Sequence, residues 1–202
     1  MTAYLFATID VHDPEGYEAY KSTVPALIEK HGGRYIVRGG DRDDVEGDWQ
    51  PGRIVVLEFP DWDSANAFAD DPAYEPVAAI RHATTASHIW IVEGTDGGAN
   101  GGTNADDMHA YLLARIRITD SDKYAPYAAQ APAALAACNG VYLARGGRAR
   151  SVEGGVDLDR LVIVAFPNMK DARGFYGGQA YAPLIPIRQS ASESNVVFVE
   201  GL

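Results

Sequence analysis

Four histidines among the first 94 residues supply the side chains best suited to proton transfer near neutral pH: His12, His31, His82 and His88. An imidazole titrates close to pH 7 and can act as a general base or acid. His31 closes the apolar stripe of a predicted helix and His82 directly follows Arg81, so these two are our candidate catalytic histidines. The alternative is a structural role, because a histidine near a helix C-terminus is stabilised by the helix dipole.

Two tyrosines on the same predicted helix, Tyr17 and Tyr20, are the candidate catalytic hydroxyl groups. Such hydroxyls can stabilise an oxyanion that develops on a substrate. They are also what a buried core would contain, provided that each hydroxyl finds a hydrogen-bond partner. Arg38 is predicted to share a strand face with the apolar Ile36, so its guanidinium must be paired or bind an anion.

Glu46 and Arg53 flank a short predicted turn. They are expected either to form an ion pair that ties the turn to the sheet or to face a ligand. The full set of candidate substrate-binding residues is Arg38, Glu46, Arg81, Tyr124, Tyr127, Arg145, Arg148, Arg150, Glu153 and Arg188.

The sequence contains an internal duplication. The stretch HGGRYIVRGG at 31–40 returns as CNGVYLARGG at 138–147, an offset of 107 residues. The same offset holds along the whole chain without a gap, and roughly a third of the aligned positions are identical, which marks a true repeat. Two copies are too few for a solenoid.

The domain organisation follows from this alignment. We predict a first repeat over residues 1–94 and a second over 110–202. Between them, residues 95–109 are rich in Gly, Asn and Asp, a composition typical of a flexible linker.

Each repeat has the β-α-β-β-α-β order of a ferredoxin-like unit. Asp13 is the predicted N-cap of the first helix, and Pro25 and Pro132 predict a kink or break in the long helix of each repeat. The predicted elements of the first repeat are strands at 3–11, 34–38, 53–59 and 88–93, and helices at 13–32, 64–70 and 73–83.

The third predicted strand has two apolar faces. Val55, Leu57 and Phe59 lie on one face while Ile54 and Val56 lie on the other. The helices of a ferredoxin-like unit cover only one face of its sheet, so the other face needs a second sheet as its cover. We therefore predict an α+β protein in which two ferredoxin-like repeats, each with a four-stranded sheet, pack sheet to sheet as a dimer within one chain.

The repeated motifs also resemble a known family. They are a Tyr-x-x-Tyr helix, Gly-Gly-x-Tyr, Arg-Gly-Gly, Glu-Gly, an Arg before a strand ending in Phe-Pro, and a later Tyr and Arg. This pattern resembles the domain of unknown function 1330 over residues 3–94 and 110–201. The resemblance implies a dimeric α+β barrel of the group that contains small monooxygenases and other cofactor-free enzymes. It implies no particular reaction, because one fold hosts many chemistries.

The two repeats differ in charge. Residues 1–94 contain 7 Lys+Arg and 17 Asp+Glu, whereas residues 108–202 contain 10 and 8. Arg145, Arg148 and Arg150 crowd one strand end of the second repeat. One interpretation is that an anionic ligand prefers the second repeat. The other is that the acidic and basic halves complement one another across their contact.

Composition excludes several classes of function. A net charge of −11 opposes nucleic-acid binding, and no apolar run is long enough to cross a membrane. The single cysteine, Cys138, excludes an internal disulfide, and no spacing of ligand residues predicts a metal site or a cofactor. We expect residence in the cytoplasm.

The sequence leaves two function hypotheses. The first is a small-molecule enzyme of secondary metabolism that uses cofactor-independent proton transfer, of cyclase, isomerase or monooxygenase type, on an aromatic or anionic intermediate. The second is a non-catalytic protein that binds a small molecule or supports assembly. Unpaired strand edges also allow the intrachain dimer to associate further.

Overall fold

The computed structural model describes residues 1–95, 107–155 and 160–202. The first repeat consists of β1 (Ala3–Val11), α1 (Pro14–Lys30), β2 (Arg34–Arg38), β3 (Arg42–Glu46), β4 (Arg53–Phe59), α2 (Trp62–Ala69), α3 (Glu75–Thr84) and β5 (Thr85–Glu93). The second repeat consists of β6 (Ala110–Ile118), α4 (Ser121–Ala136), β7 (Val141–Arg145), β8 (Ala149–Glu153), β9 (Leu161–Phe166), α5 (Met169–Tyr176), a 3₁₀ turn (Ala182–Leu184), α6 (Ile185–Gln189) and β10 (Ser192–Glu200).

The long helix of each repeat begins as predicted but does not break at its proline. The Asp13 carboxylate accepts a hydrogen bond from the Gly16 amide at 3.0 Å, which caps α1, and Pro14 occupies the first turn. α1 then continues past Pro25, and α4 continues past Pro132. The predicted break is wrong because each proline removes a single hydrogen bond, while the apolar helix face stays packed on the sheet.

The two sheets have five strands each, not the predicted four. Their orders are β2-β4-β1-β5-β8 and β3-β10-β6-β9-β7, and all neighbouring strands are antiparallel. The fifth strand of each sheet comes from the other repeat. β8 of the second repeat pairs with β5, and β3 of the first repeat pairs with β10. Sequence pattern missed these strands because β3 is a polar segment, RDDVE, that gains its ladder only at the edge of a distant sheet.

The Arg-Gly-Gly turns carry the chain from one sheet to the other. Gly39 has a φ of 74°, which disfavours any residue with a Cβ. A Cβ on Gly40 would lie 2.2 Å from the carbonyl oxygen of Glu200 in the second repeat. The first glycine is therefore required by conformation, and the second by close contact between the repeats.

A shared apolar layer lies between the two sheets. Phe6, Val56 and Trp90 of the first repeat pack there with Leu113 and Ile163 of the second, each at most 1% exposed. Two further apolar clusters lie between each sheet and its own helices. The prediction of an intrachain dimer packed sheet to sheet is confirmed.

The predicted linker at 95–109 falls mostly outside the described residues. At its described ends, the Thr95 amide donates to the carbonyl oxygen of Leu143 at 2.8 Å, and Met108 is buried between the sheets. Among the described helices, none is both long and apolar enough to cross a membrane.

Candidate functional site

A narrow cavity lies between α1 and the sheet of the first repeat, and we call it the inner cavity. Its volume is about 30 Å³, counted as space open to the centre of a water molecule, which is room for about two waters. Apolar side chains of β1 and β4 form its floor. Its polar lining consists of four tyrosines and four cations: Tyr17, Tyr20, Tyr35, Tyr74, Lys21, Arg38, Arg53 and Arg81.

One of these cations, Arg38, reaches the inner cavity because of a β-bulge in β2. Tyr35 pairs with Leu57 and Val37 with Val56, so Ile36 is an extra residue and the alternation shifts by one. The prediction that Arg38 shares a strand face with Ile36 is therefore wrong. Ile36 packs between the sheets, whereas Arg38 turns toward the helices, with its guanidinium 4.6 Å from the centre of the Tyr35 ring.

The predicted tyrosines, Tyr17 and Tyr20, do reach the inner cavity. Their rings stack at 5.4 Å, and the Tyr20 hydroxyl lies 3.3 Å from the hydroxyl of Tyr74 on the far wall. Burial raises the pKa of Tyr17 and raises that of Tyr20 well above 10. At neutral pH both groups stay protonated, so they can donate hydrogen bonds but cannot act as bases.

Arg81 and Glu153 form an ion pair between the two repeats. Arg81 is 1% exposed, and its two terminal nitrogens donate to the two Glu153 oxygens at 2.7 and 2.6 Å. Ser87 adds a hydrogen bond to the same carboxylate at 2.7 Å. Although desolvation raises the pKa of Glu153, hydrogen bonds from Arg81, Ser87 and His82 outweigh it and lower that pKa to about 2. The pair holds β8 against α3, because each side chain comes from a different repeat.

The symmetry-related ion pair joins Arg188 to Glu46. The two Arg188–Glu46 distances are 3.1 and 2.7 Å, and the hydroxyl oxygen of Ser194, the counterpart of Ser87, accepts a hydrogen bond from Arg188. Desolvation raises the pKa of Glu46, but hydrogen bonds from Arg188 and Tyr176 dominate and lower it. The predicted pairing of Glu46 with Arg53 is therefore wrong. Arg53 instead donates to the carbonyl oxygen of Arg38 at 2.6 Å, because β3 lies on the other sheet.

A wider cleft opens beside the inner cavity, between α2, α3 and β8, and we call it the outer cleft. Its volume is about 370 Å³, within the usual range for small-molecule sites. The two spaces share five lining residues, so only these side chains separate them: Leu5, Phe68, Tyr74, Arg81 and Ile89. The outer cleft also contains the end of α2 at Ala69 and the carboxylates of Asp70, Asp71, Glu75 and Glu153.

His82 stands at the outer cleft and contacts Glu153. Its Nε2 lies 2.8 Å from a Glu153 oxygen, and its side chain is 54% exposed. With a pKa of about 2, Glu153 is ionised at neutral pH and can only accept a hydrogen bond. The closer contact, to Glu153, favours the tautomer of a neutral His82 with its proton on Nε2, which leaves Nδ1 as the basic nitrogen; the same Nε2 also lies 3.2 Å from a terminal nitrogen of Arg81. A carboxylate that fixes the tautomer of a histidine is a common arrangement for a general base.

His31 lies outside both spaces. It ends α1, as the structural interpretation predicts, and its Nε2 lies 2.8 Å from an oxygen of Asp71. Its ring meets the edge of Phe68 at 6.2 Å between ring centres. Phe68 therefore separates His31 from the inner cavity, and the structure brings only His82 of the two candidate histidines to a cleft.

The second repeat has a cavity at the same place, with about 20 Å³ of space. Tyr127 lines it and Tyr124 packs beside it, and the Tyr127 hydroxyl lies 2.9 Å from that of Tyr181. Arg145 does not face a ligand there. Its guanidinium donates to the carbonyl oxygen of Ala128 at 2.5 Å, which is the carbonyl that Pro132 leaves without a helical partner.

The other arginines of the second repeat contact the first repeat. Arg150 makes a two-pronged ion pair with Asp70 at 2.8 and 2.7 Å, and Arg148 lies 3.9 Å above the ring of Trp62. These contacts do not support the interpretation that an anionic ligand prefers the second repeat, because both arginines already contact the first repeat. They support the alternative, in which the acidic and basic repeats complement one another.

Some contributors to the site were missed in the sequence. Tyr74, Lys21 and Ala69 were not singled out, although Tyr74 recurs as Tyr181 at the same offset of 107. That recurrence could have identified Tyr74. Lys21 carries no such signal, because its counterpart is Ala128. The counterpart of Ala69 is Tyr176, and that difference between the repeats could have identified Ala69. Among the described residues, no group of three or more His, Cys, Asp or Glu side chains could hold a metal ion.

Solved structures with the same fold come from several kinds of protein. A chlorite dismutase mutant from Candidatus Nitrospira defluvii, in complex with cyanide, superposes with a TM-score of 0.55 at 9% identity, covering 100% of this chain and 90% of that one. A monooxygenase-like protein from Lactobacillus acidophilus NCFM gives 0.54 at 8% identity, covering 100% and 98%. An anthrone oxidase-like protein gives 0.51 at 12% identity, covering 100% and 91%. At these identities the similarity shows the dimeric α+β barrel fold.

The sequence itself matches none of the curated proteins. One family model does match, and it does so twice. The model is the domain of unknown function DUF1330, which covers residues 2–95 and again 109–202, the two ranges that the internal duplication defines. This chain therefore belongs to the DUF1330 family and carries the family's domain in tandem.

Proposed function

We propose that the first repeat holds the active site of a small-molecule enzyme, which moves a proton on an aromatic, enolisable substrate without a bound cofactor. The observation that carries the proposal is the position of the His82–Glu153 couple at the open outer cleft. In the second repeat the residue at the position of His82 is Gln189, which cannot exchange a proton. We assign the substrate to secondary metabolism, as in the first of the two function hypotheses drawn from the sequence.

The outer cleft offers the space for such a substrate. Its 370 Å³ would admit a molecule of one or two rings, with Phe68, Leu5 and Ile89 as the apolar wall. Of its four carboxylates, Asp70 and Glu153 are each paired with an arginine and Asp71 is paired with Lys30, so three of the four add little net charge. The cleft therefore suits an aromatic molecule that becomes charged only during reaction.

The base and the oxyanion donors then have separate roles. Nδ1 of His82 takes a proton from a carbon next to a substrate carbonyl, and the electron pair moves onto the carbonyl oxygen. When Tyr20 donates the hydrogen bond to Tyr74, the proton of the Tyr74 hydroxyl is left to stabilise that oxygen, because Tyr74 also lines the outer cleft. Isomerisation and cyclisation end with return of the proton to another atom, whereas oxygenation also consumes dioxygen as the oxidant.

Hydrogen exchange of a model ketone tests this role. We expect the wild-type protein to accelerate exchange of the α-protons of 2-tetralone into D₂O, followed by NMR. His82→Gln, which installs the residue found in the second repeat, should lower the rate about 10²-fold or more. The matched control, Gln189→Ala, should leave it unchanged. Equal rates in the wild type and His82→Gln would refute the proposed function.

A second candidate function is non-catalytic binding of a small anion. The observation in its favour is that Lys21, Arg38 and Arg53 line the inner cavity, where no described carboxylate does. Calorimetric titration with formate, an anion of the size that the inner cavity admits, distinguishes the two. Binding that Arg38→Ala weakens and Arg145→Ala does not, in a protein that is inactive in the exchange assay, would favour this second function.

A further inference from the structure

The end of the second helix differs between the repeats in a way that the shared fold does not require. The first repeat has Ala69 at the end of α2, and the second has Tyr176 at the equivalent end of α5. Ala69 lines the outer cleft. The question is what the larger side chain does at the same place.

Tyr176 occupies the counterpart of the outer cleft. Its hydroxyl donates to Glu46 at 2.6 Å, and its ring packs against Tyr181 at 5.6 Å between ring centres. With the offset of 107, Glu46 and Tyr181 are the counterparts of Glu153 and Tyr74, both of which line the outer cleft. The Tyr176 ring thus lies against the surfaces that the first repeat leaves open.

The hydroxyl of Tyr176 also adds a hydrogen bond to the carboxylate of the ion pair. In the first repeat the carboxylate of Glu153 receives its outer contact from His82 at 2.8 Å. In the second repeat the carboxylate of Glu46 receives a hydrogen bond from Tyr176, in addition to one from Gln189 at the position of His82. The buried arginine and the serine beside each carboxylate are the same in both repeats. The exchange therefore alters the space and the proton chemistry while leaving the ion pair in place.

We propose that the second repeat contains a latent binding cleft which the Tyr176 side chain fills, and that Ala69 is the residue that keeps the cleft of the first repeat open. The ligand class is that of the first repeat, a small aromatic molecule with a carbonyl or similar polar group. In this respect the inference rests on the proposed function.

The test exchanges the two residues. Tyr176→Ala should open a cleft lined by Glu46, Tyr181 and Arg188 in a crystal structure, and should raise the 2-tetralone bound at saturation from one to two per chain, measured by NMR titration. Tyr176→Phe is the matched control, because it removes the hydroxyl but keeps the ring, so it should still bind one. Ala69→Tyr should abolish binding in the first repeat. Each variant is checked for a cooperative thermal transition.

Two results would overturn the inference. One is a Tyr176→Ala crystal structure in which neighbouring side chains have moved into the vacated space. The other is wild-type binding that Ala69→Tyr does not change. A wild-type protein that binds no 2-tetralone would count against the proposed function, and the Tyr176→Ala crystal structure would still decide whether the latent cleft exists.

Discussion

At the end of α2 the first repeat has Ala69 and, one helix later, His82; at the same positions the second repeat has Tyr176 and Gln189. Around these positions the two repeats have equivalent residues. Each has a buried arginine paired with a glutamate from the other repeat, a serine beside the pair and two tyrosine hydroxyls in contact. The shared ion pairs hold the two repeats together. The residues that differ set the space and the proton chemistry of each cleft.

The same contrast holds at the mouth of each cavity. In the second repeat Arg145 is bound to the carbonyl oxygen of Ala128, whereas in the first repeat Arg38 faces the inner cavity beside Lys21. Ala128 is the counterpart of Lys21, so the second repeat lacks a cation at this position. Its other cation, Arg145, is bound to a backbone carbonyl group. Under the proposed function, ligand binding belongs to the first repeat, whose cleft is open.

The largest expected effect tests whether the two ion pairs are equivalent. Glu153→Ala and Glu46→Ala should each lower the free energy of unfolding by about 3 kcal/mol, since each leaves an arginine that is 1% exposed without its partner. Urea denaturation measures both. Replacing Arg81 and Glu153 together with Met and Leu should recover most of the loss. A cost below about 1 kcal/mol in one variant alone would break the equivalence.

A smaller effect should appear as a dependence of stability on pH. The pKa of Glu153 is about 2 in the folded protein, below its ordinary value of 4.5, so its contribution is full above pH 4.5 and is lost as the pH falls toward 2. The unfolding free energy should fall over that window. Glu153→Gln should reduce the slope between pH 5 and pH 3. An unchanged slope would show that other carboxylates control acid stability.

The smallest expected effect on stability concerns Arg38 and its counterpart Arg145, beside the cavities of the two repeats. Arg145→Ala removes the hydrogen bond to Ala128 and should cost about 1 kcal/mol, whereas Arg38→Ala removes only its contact with the Tyr35 ring and should cost less. The midpoints of urea denaturation compare the two variants. Equal losses would mean that Arg38 is also structural, and would remove the reason for assigning an anion to the inner cavity.

Much of the fold could be predicted because it depends on local pattern. The Asp13 cap, the helical stripe with Tyr17 and Tyr20, and the doubly apolar strand at 53–59 are each encoded within a few residues. The candidate site was predictable only in part. Arg38 was expected on the wrong face, since a bulge at Ile36 is invisible in the alternation of residue types.

The sequence by itself determined that the chain is a tandem repeat, that each copy folds as a β-α-β-β-α-β unit, and that the back of one sheet must cover the back of the other, because apolar residues on both strand faces cannot remain in water. Only the tertiary structure decided which residues meet. Glu46 pairs with Arg188, and Glu153 pairs with Arg81, because the short strands that carry these carboxylates belong to the sheet of the other repeat. Such pairing depends on contacts more than 70 residues apart, which no local pattern records.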